Sequence, residues 1–347
     1  MINDGKTYES VRLIFTIANR YATAKSFDAA LHLVTEGALG LLGKGEASIG
    51  AQVGLHYIEL LKKSNAELSQ STVDTIKRIF AAFPENAVAA TSSSDADSNS
   101  ASSVPASSTG VAAAVVQEDQ AVRFLRAAIK WALTAKADMS FAPISFANNT
   151  DVIVASSAKP LASAQQGPGA ALAAARAKLA IARSLSPLYN ALAAHLARTK
   201  NFPLASKAYF KAGTPAQHAV LLLAWAESAP DDEKELFVAR AVFQALAAGD
   251  CEHARTVLTV ASARLKGNEA FSKSPLVHFA DFFITACEKR SQELYRALLG
   301  LYKIALRRDP QFTQLLNGAA ELFCGVEQPK SFLQSLLGMD GGSALAR

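Results

Sequence analysis

A chain of 347 residues, 50% hydrophobic and 19% charged, can bury a sizeable core in one large domain or two. No apolar run reaches the roughly 18–20 uncharged residues of a membrane span, and the opening MINDGKTYES lacks the basic-then-apolar pattern of a signal peptide. Cys251, Cys287 and Cys324 are widely spaced in apolar helical runs, which argues for buried reduced thiols over a disulfide framework or metal site and fits a cytosolic protein.

The net charge of +5 is unevenly placed. Residues 176–211 hold seven basic residues (Arg176, Lys178, Arg183, Arg198, Lys200, Lys207, Lys211) and no acidic one, whereas residues 1–86 balance at nine of each sign. Such a segment is either a solvated helical face or an attractor of acidic protein or nucleic acid. It has no interleaved aromatics, and the chain has no zinc spacing, which argues against direct nucleic-acid binding.

In chain order, Tyr8–Leu42 reads as two amphipathic helices joined by a corner at Ala22–Lys25. Leu13, Ile14, Ile17 and Tyr21 form the apolar stripe of the first, and Ser26 is the expected N-cap of the second. The second carries Phe27-x-x-Ala30-x-x-x-Val34-x-x-Gly37. Large residues there pack a partner helix and small ones allow close approach, as in a tetratricopeptide-like hairpin. The pattern returns as Phe202, Ala205, Tyr209, Ala212 and as Cys251, Ala254, Leu258, Ala261. Polar corners precede both copies, at Arg198–Asn201 and Ala248–Asp250.

A third helix is expected over 47–63 and a fourth over 69–83, capped by Ser69 or Ser71 and ended by Pro84. Residues 87–116 are Ser/Ala-rich, too poor in large apolar side chains to offset ordering, and read as a disordered insert. A fifth helix occupies 117–138, with Glu118 and Asp119 in its first turn and Leu133 among its apolar positions. Residues 139–170 read as a second, irregular insert.

Helices then follow near 171–184, 187–200, 203–212, 215–228, 232–248, 251–265, 275–289, 291–307 and 310–324. Pro275 and Pro310 suit first-turn positions. Residues 327–347 hold a short amphipathic tail. The fold class is therefore all-α: a solenoid of antiparallel hairpins forming a tetratricopeptide-like superhelix, with N-terminal hairpins over 1–86 and C-terminal repeats over 171–326.

The chain has no phosphate-binding loop and no nucleophile elbow, and Gly43-Lys-Gly45 and Gly167-Pro-Gly169 are loop punctuation. His32, His56, His195, His218, His253 and His278 are scattered singly. His32 with Glu36, and Glu252 with Arg255, have the spacing of ordinary surface pairs. No enzyme, cofactor or metal is expected. A helical solenoid without such chemistry is a binding scaffold, and a repeat subunit of a large regulatory assembly is the alternative the pattern alone leaves open.

Certain stretches go further. Tyr8-Glu9, Thr16-Ile-Ala-Asn-Arg20-Tyr21, Lys25-Ser-Phe-Asp-Ala-Ala30 and Glu36-Gly-Ala-Leu39 closely resemble the start of the Golgi to ER traffic protein 4 family. Ala128-Ile-Lys-Trp131, Leu306-Arg-Arg-Asp-Pro310 and Glu321-Leu-Phe-Cys-Gly-Val326 match further on. The resemblance implies an all-helical, non-enzymatic adaptor in the delivery of tail-anchored membrane proteins to the endoplasmic reticulum. Its N-terminal half would dock on the targeting ATPase, a homodimer, favouring the ATP-bound form. Its C-terminal half would hold a ubiquitin-like partner that connects to co-chaperones.

Carried over residue by residue, the resemblance puts Tyr8, Glu9, Arg20 and Tyr21 near the ATPase-docking surface, with Arg20 as an ion-pair former and Tyr21 as an aromatic anchor or core residue. Gln52 stands where the family tends to carry an acidic residue that regulates the ATPase, which implies tethering with a weaker regulatory contact. Arg308 and Asp309 match the C-terminal block, as partner contacts or as a cap on the last helix pair. Family members usually carry a further helix ahead of this hairpin, whereas Tyr8 follows seven residues here, so a docking surface without that helix, or a shortened chain, is expected.

Overall fold

The computed structural model describes residues 7–84, 119–135, 168–230 and 233–326. In chain order the helices are α1 (Thr7–Thr23), α2 (Phe27–Leu42), α3 (Ala47–Lys63), α4 (Gln70–Ala81), α5 (Gln120–Thr134), α6 (Pro168–Ser184), α7 (Ser186–Arg198) and α8 (Phe202–Ala212). They continue with α9 (Pro215–Ala226), α10 (Lys234–Ala247), α11 (Cys251–Arg264), α12 (Glu269–Ser272), α13 (Pro275–Lys289), α14 (Gln292–Leu301), α15 (Lys303–Leu306) and α16 (Gln311–Cys324). Among the described residues there is no β-strand, and the fold is all-α and solenoid-like. The Ser/Ala-rich insert, nearly all of the irregular one and the amphipathic tail lie outside the described residues.

One corner geometry recurs. Lys25, Gly45, Gly213, Gly249 and Arg290 have φ of 60°, 84°, 71°, 86° and 52°, and a new helix starts two residues after each. The intervening residue closes the preceding helix. Ser26, Glu46, Thr214, Asp250 and Ser291 donate their N–H to the carbonyls of Tyr21, Leu41, Tyr209, Ala245 and Ala286, at 2.9, 3.2, 3.4, 2.9 and 3.1 Å. This is the 6→1 bond of the Schellman motif, which satisfies a terminal carbonyl and reverses the chain in about two residues. Such short corners force neighbouring helices antiparallel.

All three copies of the repeat pattern coincide with helix starts, at Phe27, Phe202 and Cys251. Their small residues Ala30, Ala205 and Ala254 are wholly buried. A Cβ on Gly37 would stand 2.8 Å from Ile14 Cδ1, so the glycine is where α1 comes closest to α2.

The helices form two compact units: Met1–Phe146 with Ser184–Thr199, and Ala147–Arg183 with Lys200–Arg347. In the first, α1, α2 and α3 pack in succession, and α5 joins α3, α4 and α7. Its core includes Val34, Leu41, Val53, Ile58, Leu61, Ile76 and Phe124. In the second, α9, α10 and α11 pack together, with α13 and α16 against α10. Phe243 is its centre, edge-on to Phe279, Phe283 and Phe312 at 5.6, 6.2 and 5.0 Å between ring centroids.

Several local expectations change. The helix expected over 291–307 breaks at Tyr302, whose ring packs on Phe279, and α12 appears ahead of α13. Pro168 starts α6 three residues before the expected 171. Asp119 is the N-cap of α5 rather than a first-turn residue, accepting from Ala121 N–H at 2.9 Å, and Pro310 is likewise the N-cap of α16. Ser69 rather than Ser71 caps α4. Ser26 holds its cap position without a side-chain cap bond, because the Schellman turn sets its backbone. Leu133, expected among the apolar positions of the fifth helix, is exposed.

Candidate docking surface

The first helix has two possible apolar stripes, and the fold buries the one with the smaller side chains. Val11, Ile14 and Ala18 face inward, while Leu13 is 49% and Tyr21 42% exposed. Of the expected stripe Leu13, Ile14, Ile17 and Tyr21, Ile14 is buried and Ile17 half-buried, whereas Leu13 and Tyr21 turn outward. Ala18 permits close packing against α2 that a tyrosine at that contact would block.

At about 100° per residue, Glu9, Leu13, Thr16 and Arg20 stand roughly opposite the buried stripe and form one outward line. All four are exposed. Tyr8, 76% exposed, and Tyr21 flank it. An open depression lined by Thr16, Asn19, Arg20, Thr23 and Ala24 lies at the Arg20 end. The surface therefore offers a guanidinium, a carboxylate, two phenol rings and an exposed leucine. Leu13 and Tyr21 are the members that the sequence placed on the apolar stripe.

Gln52 is exposed on α3, one turn before His56. The His56 ring meets Phe15 of α1 at 4.7 Å. Because α1 and α3 run parallel, Gln52 lies level with the Arg12 end, about 13 Å along the helix axes from Arg20. The expected site residues thus divide between two ends of one helical layer.

Several other charged and titratable groups are engaged inside their units. Glu36 pairs with Arg78 of α4 at 2.7 Å, and Arg255 with Glu288 of α13 at 2.8 Å, so His32 and Glu252 are not the partners that hold them. Asp309 accepts from Arg240 Nε at 3.0 Å, and Arg308 bonds the buried Glu235. Both residues of this C-terminal match therefore join the lead into α16 to α10. In the basic segment, the Arg183 guanidinium bonds Asp250 and Arg176 Nε reaches Gly249 O at 3.4 Å.

The histidines are not all solitary. His195 bonds Asp119 in the first unit and holds that carboxyl below its usual range. In the second unit, His218 Nδ1 lies 2.9 Å from His253 Nε2 and His218 Nε2 lies 2.7 Å from Ser206 Oγ. Burial first, then the neighbouring imidazole, lowers His218 to about 3; burial, then Arg183, does the same to His253. Burial pushes the Cys251 thiol up to about 12 and raises Cys287 and Cys324 as well. Among the described residues no group of three His, Cys, Asp or Glu is placed to hold a metal ion, and no helix is long and apolar enough to cross a membrane.

A family profile described as Golgi to ER traffic protein 4 matches residues 24–143 and 181–339, most of the chain. The chain belongs to the Golgi to ER traffic protein 4 family. Protein GET4 of Arabidopsis thaliana is 24% identical over 343 residues, covering 97% of this chain and 91% of that protein. A Golgi to ER traffic protein 4 homolog of Dictyostelium discoideum is 30% identical over 107 residues, 30% of this chain and 33% of the relative. The homolog of Bos taurus is 21% identical over 330 residues, 94% of this chain and 78% of its own length.

A crystal structure of C. therm. Get4 has the same fold, with a TM-score of 0.65 at 16% identity over 97% of this chain and 90% of that one. Membership in the Golgi to ER traffic protein 4 family supports a part in that traffic. The matched spans begin after α1, so Tyr8, Glu9, Arg20 and Tyr21 precede the profile match and Gln52 falls inside it.

Proposed function

We propose that this chain is a non-enzymatic adaptor in the delivery of tail-anchored membrane proteins to the endoplasmic reticulum. Its N-terminal half docks on the targeting ATPase, and its C-terminal half holds a ubiquitin-like protein linked to co-chaperones. The observation that carries this reading is the family match, which covers helices of both units. The outward line of α1 supports the choice of docking face. Arg20 and the half-exposed Tyr21 have the chemistry of interface anchors, and Glu9 and Arg12 can set register by charge.

The adaptor works by proximity. Holding two partners on one chain turns their meeting into an intramolecular event, with effective concentrations that can reach the millimolar range. No bond-making group is needed in the adaptor.

The test is reconstitution from purified components, followed by size-exclusion chromatography with light scattering. The reading predicts one ternary species when the chain, the ATPase and the ubiquitin-like protein are mixed, and no ATPase–ubiquitin-like complex when the chain is left out. Co-elution of those two without the chain, or failure of the chain to retain either, would overturn it.

A further inference from the structure

The second unit buries a polar relay that no docking surface uses. Ser206 of α8, His218 of α9 and His253 of α11 are 8%, 1% and 2% exposed. The two short contacts given above, Ser206–His218 and His218–His253, tie three helices from three different sequence regions to one another. The edge of the relay is also fixed. Phe210 stands edge-on to His253 at 5.0 Å, and Asp250 accepts the backbone N–H of His253 at 3.0 Å as the cap of α11.

The relay suits two neutral imidazoles. The Nδ1···Nε2 contact holds one proton between two nitrogens, and a second there would set two N–H groups against each other. Among the described residues, the charges of Asp250, Glu235 and Arg240 are already engaged. Asp250 is already taken by Arg183 of α6 and by the α11 cap, and Arg183 has the sign of an imidazolium. Glu235 and Arg240 of α10 are paired with Arg308 and Asp309. Nδ1 of His253 is buried with no hydrogen-bond partner among the described residues.

We propose that the Ser206–His218–His253 relay is an acid-operated lock on α8, α9 and α11, closed while both imidazoles are neutral and opened when they take up protons. Burial keeps both rings neutral in the folded state, helped at His218 by the neighbouring imidazole and at His253 by Arg183. In the unfolded chain they titrate near the ordinary value of about 6.5. The stability the relay contributes is therefore complete above that pH and lost progressively as pH falls from there toward about 3, where the folded rings also protonate and the lock opens. Two such groups lower the folded-to-unfolded ratio roughly sixtyfold between pH 6 and pH 5.

The experiment is urea unfolding of the full chain at pH 7.5, 6 and 5, wild type against His218→Gln/His253→Leu, with imidazole NMR titration of the wild type. The expected result is a steep acid loss in the wild type, a flatter one in the variant, and two histidines that stay neutral at pH 5.5. If the variant does not fold, the wild-type NMR titration and amide protection decide. Protection factors at pH 5 should then fall in α8, α9 and α11 more than in α2 and α3. Either ring titrating near 6.5, equal acid slopes in wild type and variant, or an equal fall of protection in both units would overturn the proposal.

Discussion

Asp119 shows how much one side chain carries. One oxygen caps α5 and the other bonds His195 of α7, so a single carboxylate fastens two helices of the first unit. Replacing it by alanine removes a cap and a charge-assisted bond, and should lower stability by about 2 kcal/mol in urea unfolding. His195 depresses the Asp119 pKa, so this stabilisation is present above the ordinary carboxylate value and lost as pH falls through the lower, folded one. The gap between wild type and Asp119→Ala should hold above about pH 4 and close below it. Phe243 lies between three aromatic rings, and Phe243→Ala should cost about 3–5 kcal/mol, read as a fall in melting temperature. Neither residue was legible in this role. Asp119 read as a first-turn acid, because its partner is 76 residues away in sequence. The ring neighbours of Phe243 lie on other helices, which helical spacing alone does not identify.

At the scale of the element, the corners separate into those built on glycine and those built on a longer side chain. Gly249 holds φ of 86° and a Cβ there would meet Leu172 at 3.1 Å, so Gly249→Ala should destabilise by about 1–2 kcal/mol. Lys25 adopts the same handedness with a Cβ, and Lys25→Gly should be near neutral or mildly stabilising. Chemical denaturation of the two variants checks the contrast. A second contrast tests close approach. A Cβ on Gly50 would stand 2.6 Å from the branched Cγ of Leu42, whereas one on Gly37 meets first the mobile end of Ile14 at 2.8 Å. Gly50→Ala should cost about 1–3 kcal/mol and Gly37→Ala less, on the same assay. The corners and the repeat pattern were readable because small and large residues alternate at fixed helical offsets. The outward turn of Leu13 and Tyr21 was not, because Val11 and Ala18 form with the shared Ile14 an equally regular stripe, and only the partner helix chooses between the two.

Across the whole molecule, charge has two uses. Arg176 and Arg183 of the basic segment are drawn into the α10–α11 corner, so the segment is not one free patch. Arg240 and Arg308 neutralise Asp309 and Glu235, two buried carboxylates. With the arginines about a third exposed, Arg240→Ala should cost about 2 kcal/mol rather than the larger penalty of a fully buried pair. By contrast, Arg20 stands at the surface beside Tyr21 on a line of exposed side chains. The fold class and the family were legible in helical periodicity and a few blocks of sequence. The relay of His218 and His253 was not, because it exists only after helices 35 residues apart in sequence pack together. The central proposal is that this chain docks on the targeting ATPase through the outward face of α1. Titration calorimetry of the full chain against that ATPase, with and without ATP, tests it most directly. The account predicts binding that ATP strengthens and that Arg20→Glu weakens at least tenfold, about 1.4 kcal/mol. No binding in either nucleotide state would contradict the adaptor role, and binding unchanged by Arg20→Glu would contradict the face.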